Sequence, residues 1–172
     1  MQTPPLHQVV EVKEKLKGQT APHAVVLDTD QEAVIKLICQ QGCVCFKEYL
    51  AIQMAKKLGF PTLTPLQLKI PPELLKTLPR DQWIYQQMNR HLLLPAFGTL
   101  YLPATRQVMV QDLKKPALWS EICRIFCFDL LIRNFDRKQA NPNLLFRTGQ
   151  GPQMVLIDHE MAFKHPKQPW KF

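Results

Sequence analysis

Two residue types in the last quarter of the chain, aspartate and asparagine, have a spacing that could do chemistry together. Asp136 opens the polar stretch Asp136-Arg137-Lys138-Gln139-Ala140-Asn141-Pro142-Asn143, and Asp158 closes the apolar run Met154-Val155-Leu156-Ile157. One carboxylate can orient a hydroxyl nucleophile, while an amide oxygen and a second carboxylate can hold Mg²⁺ on the phosphates of a nucleotide. Two asparagines compete for the amide role. Asn141 stands five positions after Asp136, and Asn143 directly precedes the apolar run Leu144-Leu145-Phe146. The residues themselves leave that choice open.

These groups need elements to position them. A helix from Leu118 to about Asn134 would deliver the polar loop, with Pro116 in its first turn. Its apolar face is read as Leu118, Ile122, Ile125, Phe126, Leu130 and Leu131, broadened by Trp119 and Phe128. Asp129 interrupts that surface. An isolated buried charge is expensive, so Asp129 should be paired, with Arg137 or backbone amides as partners. The runs 144–146 and 154–157 flank Thr148-Gly149-Gln150-Gly151 and predict a hairpin.

Upstream, Val9 to Val12 reads as a strand, and His23–Leu27 and Glu32–Leu37 as a hairpin around Asp28-Thr29-Asp30-Gln31. Lys36 ends the second strand of that hairpin. It could guard a sheet edge or reach a phosphate. Val44 to Leu58 predicts a helix stopped by Gly59. Glu48, near its start, suits the helix dipole or a functional pair. Leu66–Ile70 reads as a strand, Pro71-Pro72-Glu73-Leu74-Leu75 as a short helix, and Gln82–Met88 as a further strand.

The string FDLLIRNFDR…NPNLL…LIDHEMAF resembles HipA-like kinase domains, relatives of protein kinases and phosphatidylinositol-kinase-like enzymes. Asp136 to Asn141 repeats the protein-kinase D-x-x-x-x-N spacing. Phe97-Gly98-Thr99 resembles a small F-G-[ST] motif of the same domains. The resemblance implies an α+β fold with a kinase-like bilobal core. Residues 1–86 would form a sheet with one helix, and residues 88–172 a mainly helical lobe bearing the hairpin. It implies ATP and Mg²⁺ as cofactors, and transfer of a phosphoryl group to a hydroxyl of a protein or small molecule. Asp136 would orient that acceptor, and Asp158 with Asn141 or Asn143 would bind metal. Lys36 would hold the phosphates, paired with Glu48, and backbone near Gln82–Met88 would meet adenine. Two departures favour a rival, a kinase-like module that binds nucleotide or a protein partner without turnover. No G-x-G-x-x-G pattern occurs near residues 14–30, and only nine residues follow Phe163.

Composition bounds these readings. The chain has 172 residues and is 46% hydrophobic, enough for one domain with a substantial core. No stretch approaches the ~18 apolar residues of a membrane span, and no secretory signal opens the chain, so a cytoplasmic protein is expected. Five cysteines, an odd number, are expected as free, buried thiols. Cys39, Cys43 and Cys45 lack the usual zinc-knuckle spacing. The net charge of +8 suits a phosphorylated ligand or an acidic surface. Nucleic acid is not expected, because Lys and Arg are not clustered with interleaved aromatics.

Overall fold

β-Branched and small residues recurring at every second position make much of the first half of the chain a sheet. The structure is a computed structural model and describes residues 3–16, 22–37, 43–80, 82–138, 141–147 and 153–163. The chain divides into two compact units, residues 1–41 with 63–102, and residues 42–62 with 103–172.

In the first unit β1 (Leu6–Lys15), β2 (His23–Leu27), β3 (Glu32–Lys36), β4 (Pro65–Lys69) and β5 (Ala96–Leu100) close a barrel in the order β1-β2-β3-β5-β4. The expected β2–β3 hairpin forms, with Val25 opposite Ala33. Its turn places Asp30 at φ 61°, a left-handed conformation that Asp tolerates better than most residues. Along β3, Ala33 and Ile35 enter the core, and Lys36 falls on the opposite face with Val34. The Phe97-Gly98-Thr99 string has a packing cause. A Cβ on Gly98 would lie 2.4 Å from Leu68 Cδ1 and 2.8 Å from the Val34 carbonyl. Only glycine lets β5 fit between β3 and β4 here.

The strand expected at Gln82–Met88 is instead a helix, α3 (Trp83–Asn89). Ile84 and Met88 are buried one helical turn apart, with Gln87 buried beside them. Over so short a run the apolar spacing fits both periods, and the place beside β3 and β4 is taken by β5. The expected division near residues 86–88 therefore falls inside the first unit, which runs on to Leu102. The proline-opened helix α2 (Pro72–Thr77) forms as read and buries Leu74 and Leu75.

The second unit contains α1 (Cys43–Lys57), which Gly59 follows at φ 76°. Ala51 and Ala55 of α1 enter this unit's core with Phe60, Ile125, Phe128 and Ile132. The rings of Phe60 and Phe128 stand 5.2 Å apart. A three-stranded antiparallel sheet, β6 (Thr105–Gln107), β7 (Leu144–Arg147) and β8 (Gln153–Leu156), holds the expected β7–β8 hairpin in its central and last strands. β6 carries no apolar residue, so no pattern announced it. α4 (Val110–Leu113), a 3-10 turn at Pro116–Leu118 and α5 (Trp119–Ile132) complete the unit among the described residues.

α5 corrects the expected apolar face. Ile125, Phe128 and Ile132 are buried, whereas Phe126 and Leu131 are each 62% exposed, and Trp119 and Leu130 are exposed too. The helix is apolar almost all round, so periodicity could not choose a side. Cys123 and Cys127, expected buried, lie exposed as free thiols on the outward side. Cys45 is disulfide-bonded, against the expectation of free thiols. Cys39 and the Cys43 side chain lie outside the described residues. No described helix is long and apolar enough to cross a membrane.

Candidate active site

The C-terminal end of α5 is where the polar loop acquires its shape. Arg133 caps the helix in a left-handed conformation at φ 54°, and its N–H donates back to the carbonyls of Asp129 and Leu130. That turn lets Asn134 donate its backbone N–H to the Asp129 carbonyl at 2.8 Å. Its side-chain Nδ2 donates to Asp129 Oδ1 at 3.2 Å. Asp129 is paired as expected: Arg137 Nε donates to its Oδ2 at 2.6 Å, with both side chains below a tenth exposed. Burial pushes the Asp129 carboxyl above its ordinary value, and the Arg137 charge and hydrogen bond oppose that shift.

From Asp129, Arg137 reaches across the loop. Its Nη1 donates to the Pro142 carbonyl at 2.8 Å and also to the Asn143 carbonyl. Asn143 is buried and left-handed at φ 46°. Its carbonyl also accepts the Ile157 N–H at 3.2 Å, which ties the loop to the residue before Asp158. Its side-chain Nδ2 donates to Asp136 Oδ2 at 3.3 Å. Asn141 behaves differently. It is exposed, and its backbone exchanges hydrogen bonds with Lys138 at 3.0 and 3.1 Å. Both asparagines line a cavity of about 240 Å³, walled by Val108, Met109, Leu144 and Ile157.

Asp158 is half-buried, with φ 58°. One carboxylate oxygen each from Asp158, Glu48 and Glu160 lie within 4.8 Å of one another. Hard oxygen donors of this kind suit Mg²⁺. Glu48 is only 3% exposed. Of the residues singled out in the sequence, the second unit thus brings together Asp136 with Asn143, and Asp158 with Glu48. Lys36 stands on β3 in the first unit, opposite Phe97 in the strand register.

Sequence reasoning missed two contributors. Glu160 had a signal, since it lies two positions after Asp158 in Asp-His-Glu. Asp112 had little. It is buried and accepts both Arg106 guanidinium donors at 2.6 and 2.9 Å, Lys115 Nζ at 2.8 Å and the Met109 N–H at 3.0 Å. Arg106 first, then Lys115 and the Met109 amide, hold its carboxyl well below the usual carboxylate range. This network fixes the Val108–Val110 wall of the cavity.

A family model described as HipA-like kinase matches residues 9–172. Among solved structures, the chain is similar to the Helicobacter pylori proinflammatory kinase CtkA, with a TM-score of 0.58 and 15% identity. The match covers 92% of this chain and 60% of CtkA. It is also similar to a Rio2 kinase–ADP/Mg²⁺–phosphoaspartate complex from Chaetomium thermophilum, with a TM-score of 0.53 and 12% identity. That match covers 92% of this chain and 50% of Rio2. No curated protein matches. At these identities the solved structures speak for the fold, which is that of kinases, and the family model covers nearly the whole chain. The chain belongs to the HipA-like kinase family.

Proposed function

We propose that the chain is a kinase-type phosphotransferase that moves a phosphoryl group from ATP to a hydroxyl of a protein or small molecule. The observation that carries this reading is the hydrogen bond from Asn143 Nδ2 to Asp136 Oδ2, on a loop whose Asn143 carbonyl accepts the N–H next to Asp158. Asp136 would orient an acceptor hydroxyl and take its proton. Asp158 and the Asn143 amide oxygen would hold Mg²⁺, with Glu48 and Glu160 as adjoining oxygen donors. When bound, that ion neutralises charge on the transferring phosphates. Asn143 is favoured over Asn141 because its amide already meets the Asp136 carboxylate, whereas Asn141 is exposed and engaged through its backbone.

The cavity beside Asn143 has apolar walls from Val108, Met109, Leu144 and Ile157, and its polar edge is Gln107 and the two asparagines. Lys36 would contact the α- and β-phosphates, as the family resemblance implies, with Glu48 as its partner. Phosphoryl transfer depends chiefly on positioning and charge neutralisation, so these few groups suffice.

One sequence feature favours a second reading, binding of nucleotide without turnover: the β1–β2 connection holds a single glycine, Gly18, and no phosphate-cradling repeat. The same experiment separates the two. Mg·ATP binding is measured by calorimetry and ATP consumption by product release, for the wild type and Asp136→Asn. Binding by both with turnover only in the wild type supports the transferase. Binding by both with turnover in neither leaves the binding module.

A further inference from the structure

The buried pair of Asp129 and Arg137 supplies no acceptor- or metal-binding group itself, yet its contacts run to the backbone of Asn143, which is assigned above to the metal. Arg137 spends its planar fork in two directions. Nε faces the Asp129 carboxylate on the last turns of α5, and Nη1 faces the carbonyls of Pro142 and Asn143. Asn143 is in a conformation that L-residues rarely adopt, at φ 46°. A backbone so placed persists only where its surroundings over-determine it. Two donors do this at the Asn143 carbonyl, Arg137 Nη1 and the Ile157 N–H. With the carbonyl fixed, the side-chain amide of Asn143 is aimed at Asp136.

Stability alone is a poor account of the pair. Buried ion pairs can often be exchanged for apolar residues of similar volume without loss of stability. Lysine would be a poor substitute too, because an ammonium on a flexible stem lacks the rigid planar fork that faces a carboxylate with one nitrogen and two carbonyls with another.

We propose that Arg137 is a positioning residue: anchored by Asp129, it holds the Pro142–Asn143 backbone and so sets the angle at which the Asn143 amide meets Asp136 and a bound cation. This rests on the reading of Asp136 and Asn143 as parts of a phosphotransfer site. Disturbing the brace leaves every proposed reacting group in the chain and alters only its aim.

The test uses the full chain with two variants, Arg137→Lys and the double Asp129→Leu/Arg137→Met, which removes both charges together. Thermal melts first establish folding. The double variant, with no buried charge left over, is expected to fold, with a melt lowered by the loss of the partners of Asn134 and of the Pro142 and Asn143 carbonyls. ATP turnover in both variants should then show kcat lowered by about 10- to 100-fold with the KM for ATP little changed, the range seen when groups orienting a site are lost. The Mg²⁺ concentration for half-maximal turnover should rise several-fold. Independently of turnover, the Asn143 side-chain amide protons, observed by NMR, should exchange with solvent much faster in both variants than in the wild type. A folded double variant with wild-type kcat, Mg²⁺ dependence and Asn143 exchange would overturn the proposal. Faster exchange at Asn143 in the variants, with no turnover even in the wild type, would uphold the brace and refute the transferase reading.

Discussion

At Asn143 a left-handed backbone, two donors on one carbonyl and an amide facing Asp136 converge on a single residue. Asn is among the few side chains that accept this conformation, so Asn143→Ala removes the proposed amide ligand and adds backbone strain of about 1–3 kcal/mol. We expect it to lower turnover by about 10²-fold or more, the scale of losing one preorganised electrostatic contact. Asn143→Ala should weaken Mg·ATP binding more than metal-free nucleotide binding, as Asp158→Ala should. Asn141→Ala should change both little, and parallel Mg²⁺ and nucleotide titrations of the three variants check the pattern. The sequence left these asparagines undecided because what distinguishes them, a positive φ at Asn143 and its hydrogen bond to Asp136 across seven positions, is not written in spacing. A second residue-scale expectation concerns Asp112, whose folded-state pKa is depressed by Arg106, Lys115 and the Met109 amide. Its stabilisation is fully present above an ordinary carboxylate pKa of about 3.9 and is lost as pH falls through the lower folded value. Asp112→Asn should therefore cost roughly 1–3 kcal/mol near neutral pH, since it breaks buried hydrogen bonds. The gap from the wild type should close as melts are run below about pH 4. Asp129, raised by burial, has the opposite sign. Between its unfolded and folded values the folded chain holds the extra proton, and stability falls as pH rises.

Among the elements, α5 shows most clearly what a sequence pattern can and cannot decide. Its existence and rough limits were legible from the run between Leu118 and Asn134, and so was the need to pair Asp129. The buried side was not. Phe126 and Phe128, or Leu131 and Ile132, are chemically near-equivalent, and only contacts with Phe60, Leu144 and Leu156 in the core distinguish them. Ile125→Ala should accordingly destabilise by about 2–5 kcal/mol and Phe128→Ala by about 3–5 kcal/mol, each leaving a cavity. Phe126→Ser and Leu131→Ser should stay within about 0.5 kcal/mol of the wild type, as surface substitutions do. Chemical denaturation of the four variants checks the ordering, and equal losses on both sides of the helix would mean that the exposed side is packed in solution. The β2–β3 and β7–β8 hairpins were legible because apolar runs and turn residues agree locally. β6 was not, because Thr105-Arg106-Gln107 has no apolar member and joins the sheet only through its pairing with β7.

For the molecule as a whole, each of the two units has its own apolar core, one centred on the barrel around Val25, Ile35 and Leu68, the other on Phe60, Phe128 and Ile132. The kinase-like class was legible from a few residues around Asp136 and Asp158. The partition was not, because it depends on β5 joining β3 and β4 from far along the chain, and on α1 giving Ala51 and Ala55 to the second core. The proposed reaction assigns Lys36 a phosphate-binding role, and Asp158 and Asn143 a metal-binding one. A ligand that binds only the folded state stabilises what it engages, by about 2.7 kcal/mol at a hundredfold excess over Kd. Saturating Mg·ATP should therefore slow amide hydrogen exchange in β3 around Ile35 and Lys36 as well as in the loop around Asn143 and Asp158. Lys36→Met removes the ammonium but keeps a long apolar stem. It should reduce the protection gained in β3 while leaving Mg²⁺-dependent protection around Asn143 and Asp158 measurable at higher nucleotide concentration. Protection confined to the second unit in the wild type, unchanged by Lys36→Met, would remove Lys36 from the site and leave the proposed transferase without its phosphate-binding cation.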